Sequence, residues 1–397
     1  MAYLQDRNRL FGATVSSGVR STSRLLATAL WLSAVAVLTG PAAAHAGTTH
    51  AGTPHWVLLV LVLVGLAAVG LGLRALARGT RRGLGAVGVG TGTLLLVGGG
   101  IGLVEIQVTP EVAPAWSEWF TLLNVAVAIG LALGSLVVVR LRWPERPRYV
   151  ALGGLLAAWT GYPAVMPNGG LTHPLGYLVV LGLPLTVAYI LARDAGDRIA
   201  RALSGLKTRV AAGVTFLLFT VFFAVSTGTL TLNPDTGVGL PAEGFVTLQR
   251  VASPLVYWPA VEFYAPDIPA AGYLSVGSAV LLAVLGGLVA LNAGLVVRQW
   301  SRAGADTSSP RAMAGALASS GATACCCCAP ALYGVVGAAF GTAASPVYWA
   351  FLDPTSPLGG LFLSASVLLL VGSAIRSAED ACRLPDAGSE PGGAAAD

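Results

Sequence analysis

The chain has 397 residues, 55% of them hydrophobic and only 10% charged, with a mean hydropathy of +0.75. A soluble globular protein carries about 25% charged residues, so this composition excludes a water-soluble domain and places the chain in lipid. Its formal charge of +5 comes almost wholly from arginine, with Lys207 the one lysine, and the placement of those arginines decides what the charge means.

Residues 1–46 have the layout of a secretory signal peptide. Arg20 and Arg24 precede an apolar run from Leu25 to Leu38, followed by Gly40, Pro41 and a small-residue site at Ala44-His45-Ala46. An earlier site at Ala42–Ala44 would leave His45 as the new N-terminus, and retention as a signal anchor would add a tenth helix. Each alternative leaves His50 and His55 outside the membrane.

Nine segments beyond it are apolar over about the 20 residues that cross a bilayer. They run 56–74, 83–104, 118–139, 149–166, 175–192, 210–230, 272–297, 312–344 and 358–375, the first five within 47–208. The expected fold class is therefore all-α, a polytopic membrane helix bundle of nine transmembrane helices. Alternate connections are basic: Arg74, Arg78, Arg81 and Arg82; Arg140, Arg142, Arg146 and Arg148; Arg193, Arg198, Arg201, Lys207 and Arg209; Arg298, Arg302 and Arg311; and Arg376 and Arg383 in the tail. The opposite connections hold only Arg250. The positive-inside rule makes the basic set cytoplasmic, with the mature N-terminus outside, the C-terminus inside and the cell membrane as location. The charge reads as topology, the bilayer is the expected partner, and no nucleic acid is implied.

The outer connections carry a shared pattern. Ser253-Pro254-Leu255-Val256-Tyr257-Trp258 is followed by Pro266-Asp267-Ile268-Pro269-Ala270-Ala271-Gly272, and Ser345-Pro346-Val347-Tyr348-Trp349 by Pro354-Thr355-Ser356-Pro357-Leu358-Gly359-Gly360. The preceding helices also begin alike, at Arg209-Val210-Ala211-Ala212-Gly213 and Arg311-Ala312-Met313-Ala314-Gly315. We read 209–298 and 311–376 as two copies of one helical hairpin, as internal repeats are common in membrane transporters. Tyr and Trp at these positions suit interfacial anchors and equally a docking surface for an extracellular protein. The segment 377–397 is polar and reads as a disordered cytoplasmic tail.

Cys325, Cys326, Cys327 and Cys328 stand in a row within the eighth span, in one copy of the hairpin only. Thiols are soft metal ligands and redox groups. At 100° per residue four consecutive side chains fan around a helix, so only Cys325 and Cys328 share a face. Two sulfurs suffice for a linear soft ion of the copper or mercury class, and Pro330 can loosen the turn that presents them. Packing as small helix-interface residues is the alternative. His50, His55 and His173 are candidate outer capture groups for the same ion, and equally plain polar spacers.

Gly315-Ala316-Leu317-Ala318-Ser319-Ser320 followed by Cys327-Cys328-Ala329-Pro330-Ala331-Leu332 resembles the first helix of mercuric-ion transport membrane proteins. That resemblance implies a metal-handling pair at Cys327 and Cys328, or at Cys326 and Cys327 if the two-residue gap to proline is kept. It covers about 20 residues of the chain. The family is shorter, with fewer helices and two cysteines instead of four, so the identity of a substrate does not carry over.

Gly83-Leu84-Gly85-Ala86-Val87-Gly88 matches a dinucleotide fingerprint but has no strand before it, so it reads as close helix packing, as does the series from Gly85 to Gly102. No Ser-His-Asp set, His-Glu pair or paired carboxylates suggest an enzyme. Asn124 and Asn292 are isolated polar residues within spans and are expected to bond between helices.

Overall fold

The computed structural model describes residues 49–50, 53–78, 82–105, 114–166, 170–232, 243–267, 270–302, 336 and 345–383. Two-residue strands β1 (Thr49–His50) and β2 (Thr53–Pro54) pair ahead of the first helix. The helices that follow are α1 (His55–Arg78), α2 (Arg82–Glu105), α3 (Phe120–Arg142), α4 (Arg148–Val165), α5 (Pro174–Ala202) and α6 (Leu206–Ser226). Strands β3 (Leu230–Thr231), β4 (Phe245–Ala252), β5 (Tyr257–Ala265) and β6 (Ala270–Ser275) lead into α7 (Val276–Arg302). The helices α8 (Ser345–Leu352) and α9 (Pro357–Arg383) complete the described fold.

Seven helical segments among the described residues are long and apolar enough to cross a membrane: Trp56–Leu76, Gly83–Glu105, Ser117–Arg142, Pro174–Ala202, Leu206–Ser226, Val276–Gln299 and Pro357–Glu379. Two of the nine expected spans are missing from that set. The eighth, 312–344, lies outside the described residues apart from Val336. The fourth is present as α4, but its 18 residues include Arg148, Trp159, Thr160, Tyr162 and Pro163 and are too polar to qualify. Eight of them are buried against the bundle, where protein takes the place of lipid, so the helix needs no apolar stripe all round.

α9 occupies the centre, touching α3, α4, α5 and α7. Leu363, Val367, Leu370, Val371, Ala374 and Ala378 recur at helical spacing and are all buried. Its last turns correct the expected tail: residues 377–383 are helical, because Ser377 and Ala378 are still packed against α7. Gln299 Nε2 donates to the Ser377 carbonyl at 3.1 Å and Asn292 Nδ2 to the Leu370 carbonyl at 3.1 Å, both from α7. Asn124 Nδ2 donates to the Thr355 carbonyl at 3.0 Å, just ahead of α9. The two asparagines thus do bond across the bundle, as polar groups in lipid-embedded helices commonly do.

At the arginine-rich end, α4 is tied to α5 by a half-buried ion pair. Arg148 meets Asp194 with two nitrogens, Nε donating to Oδ2 at 3.1 Å, and Tyr149 Oη donates to Oδ2 at 2.6 Å. The Asp194 side chain is 4% exposed, so an unpaired carboxylate there would be costly.

α1 and α2 form an antiparallel hairpin held by glycines seven residues apart. A Cβ on Gly72 would lie 2.7 Å from the Gly85 carbonyl oxygen, and one on Gly92 the same distance from the Gly65 carbonyl oxygen. Backbones this close admit no side chain, which bears out the reading of the glycine series as helix packing. The hairpin meets the rest of the molecule through α6 and β3: Gly100 faces Phe222, and Thr231 Oγ1 donates to Glu105 at 2.8 Å.

Candidate functional site: the cap sheet and its cleft

The connection between α6 and α7, rich in aromatics and proline within an expected all-α fold, is a four-stranded antiparallel sheet in the order β3-β6-β5-β4. Phe245 to Ala252 includes the β-branched residues Val246, Thr247 and Val251, which favour a pleated surface. β4 and β5 pair along their whole length, from Phe245 with Tyr264 to Ala252 with Tyr257.

The turn between these strands plugs into the helix ends. Ser253–Pro254 is a cis peptide and Leu255 has φ 58°, a left-handed conformation costing about 1–2 kcal/mol in a non-glycine residue. Val256 is fully buried and packs on Gly176 of α5. Trp258, 5% exposed, donates from Nε1 to the Pro254 carbonyl at 3.0 Å and meets Tyr177 edge-on at 5.0 Å. Tyr177 Oη donates to the Tyr257 carbonyl at 2.7 Å. Ser275 and Ser278 cap α7 reciprocally, each backbone N–H donating to the other's hydroxyl at 3.1 and 3.0 Å, so β6 passes into the helix without a loop.

Alternation gives the sheet two unlike faces. Trp258, Ala260 and Ser275 are buried against the helix ends, so the sheet lies across the end of the bundle as a cap. On the opposite face Leu248, Val261 and Leu274 form one cross-strand row and Val246 stands opposite Phe263 in the next. Val246 is 75% exposed and Leu248 81%. Beside this apolar row Arg250 stands opposite Pro259. It is exposed and makes no ion pair among the described residues.

A cleft of about 550 Å³ opens at that corner, lined by Thr172, Tyr177, Arg250, Tyr257, Trp258, Pro259 and Val276. It combines aromatic walls with one cation, a setting for an amphipathic group carrying a carboxylate or another anion. No family model matches the chain, and no curated protein or solved structure is similar to it.

Of the metal-ligand candidates, the histidines alone fall among the described residues. Cys325, Cys326, Cys327, Cys328 and Pro330 lie outside the described residues. His50 ends β1 and His55 begins α1. His173 caps α5, its Nδ1 accepting from the Leu175 N–H at 3.2 Å, which gives it a structural task. Among the described residues no group of three or more His, Cys, Asp or Glu is placed to hold a metal ion.

The paired loop motifs do not share a local structure either. Tyr257-Trp258 lies in a strand, whereas Ser345 to Trp349 lies in α8; Ala270-Ala271-Gly272 is strand β6, whereas Pro357 to Gly360 opens α9. Tyr257 and Trp258 are legible in the sequence; Val246, Leu248 and Arg250 are not, because β4 has no clean apolar–polar alternation to mark its faces.

Proposed function

We propose that this multi-pass membrane protein uses the cap as a docking surface outside the cell. The carrying observation is an exposed apolar row, Leu248–Val261–Leu274, flanked by the exposed Arg250 and the aromatic cleft. Isolated exposed apolar residues are ordinary, but a contiguous row beside a cation is the makeup of an interaction site. The arginine-rich connections lie at the opposite end of the helices, which puts the cap outside by the positive-inside rule. The occupant would bring apolar contacts for the row and an acidic group for Arg250.

Native electrophoresis of the protein extracted in mild detergent tests this reading. The wild type should migrate as an assembly, and Leu248→Lys with Arg250→Glu should collapse it to a single 40.2 kDa chain in its micelle. A wild type that already runs as a single chain at physiological expression contradicts the reading.

A second reading rests on the cysteine row. Four adjacent thiols within an apolar segment favour handling of a copper- or mercury-class ion, with Cys325 to Cys328 as ligands. Changing all four to serine should then alter copper or mercury accumulation at equal expression. Unchanged accumulation removes this reading and leaves docking untouched.

A further inference from the structure

β4 is an edge strand eight residues long, and β5 is its one partner strand among the described residues. Among the described residues nothing pairs with its outward N–H and C=O groups, which form a template for another strand. Natural edges are commonly guarded by lysine, proline, bulges or brevity. β4 has none of these, with Arg250 its one charge and Val246 and Leu248 bare to solvent.

We propose that a second copy of this chain pairs with β4, joining the two caps into one continuous sheet. This names the partner of the docking surface described above and rests on that reading. The sequence of β4 is self-complementary in one antiparallel register, the one centred on Thr247. There Thr247 opposes Thr247 of the second copy, Val246 opposes Leu248 of the second copy and the converse, and Phe245 opposes Gln249 of the second copy. Arg250 opposes Gly244 of the second copy, whose lack of a side chain leaves room for it, and the two-fold repeats that pairing. Neighbouring registers lose this match: centring on Leu248 sets Arg250 against Val246, and centring on Val246 sets Leu248 against Gly244.

Disulfide trapping in native membranes tests the register. With Cys325, Cys326, Cys327, Cys328 and Cys382 changed to serine, Thr247→Cys should oxidise mostly to a covalent dimer. Directly opposed residues of an antiparallel pair are about 4.5–5.5 Å apart at Cα, within disulfide reach. Asp267→Cys, exposed at the far turn of the cap, should stay largely monomeric. Differently tagged chains carrying Val246→Cys and Leu248→Cys should cross-link to each other several-fold better than either does to itself. Adding Leu248→Lys should abolish the Thr247→Cys dimer. Equal, low yields at positions 247 and 267 overturn the proposal. If Leu248→Lys with Arg250→Glu still dissolves a native assembly in that case, docking stands with a different partner. If no assembly exists, both readings fall.

Discussion

Gly277 is where the cap is fastened to the bundle, and its substitution by alanine should loosen the cap without unfolding the helices. A Cβ there would sit 2.5 Å from both Cδ1 and Nε1 of Trp258 and 2.6 Å from Pro254 Cδ. Ordinary contact begins at 3.4 Å, an overlap of about 1 Å. The indole cannot retreat freely, because Tyr177 stands against it and Pro254 holds its N–H. Overpacking of this kind costs about 1–3 kcal/mol, and losing the hydrogen bond adds about 1 kcal/mol. The sum, about 2–4 kcal/mol, corresponds to an open population raised roughly 30- to 1,000-fold.

Arg250 supplies the assay, since trypsin reaches an exposed arginine in a strand only when the strand opens. Cleavage after Arg250 should accelerate by about that factor when opening is fast relative to cutting. Gly287→Ala, in the same helix with no atom near its added Cβ, should leave the rate unchanged. If Gly277→Ala is cut no faster than Gly287→Ala, the reasoning about how the cap is anchored is wrong.

Other consequences follow from the packing. Arg148→Ala should destabilise the bundle by about 1–3 kcal/mol by leaving the Asp194 carboxylate without its partner, and Arg148→Met with Asp194→Leu should recover much of that loss, measured by unfolding in mixed micelles. Gly72→Val sets a side chain against the backbone of Gly85 and Val89 and should part α1 from α2, read as a lost cross-link between cysteines placed on the two helices. The main melting transition should persist in that variant, because among the described residues the hairpin meets the rest chiefly near α6 and β3.

The membrane class was legible because lipid imposes length and apolarity on each span directly, and seven of the nine expected segments recur as apolar helices. α4 shows where that criterion stops: Trp159, Thr160 and Tyr162 are buried among other helices, so composition understates its place. The cap was missed for a related reason. Prolines and aromatics between Ser253 and Gly272 signal turns, while Phe245–Ala252 lacks a clean alternation of apolar and polar residues and is exposed from Val246 to Arg250, so no strand period marks it. Tyr257 and Trp258 were found as surface aromatics, yet only pairing and burial show that Trp258 anchors the cap while Tyr257 faces the cleft. The match between Ser253–Trp258 and Ser345–Trp349 shows that similar residues can serve a strand in one setting and a helix in another.

The central claim is that the cap faces outward and the arginine-rich ends face inward. In a chain freed of its native cysteines, Asp267→Cys in the cap and Ser204→Cys between α5 and α6 can be labelled in intact cells with a membrane-impermeant maleimide. Labelling at 267 and protection at 204 until the membrane is opened is the predicted result. Labelling at 204 with protection at 267 would contradict it.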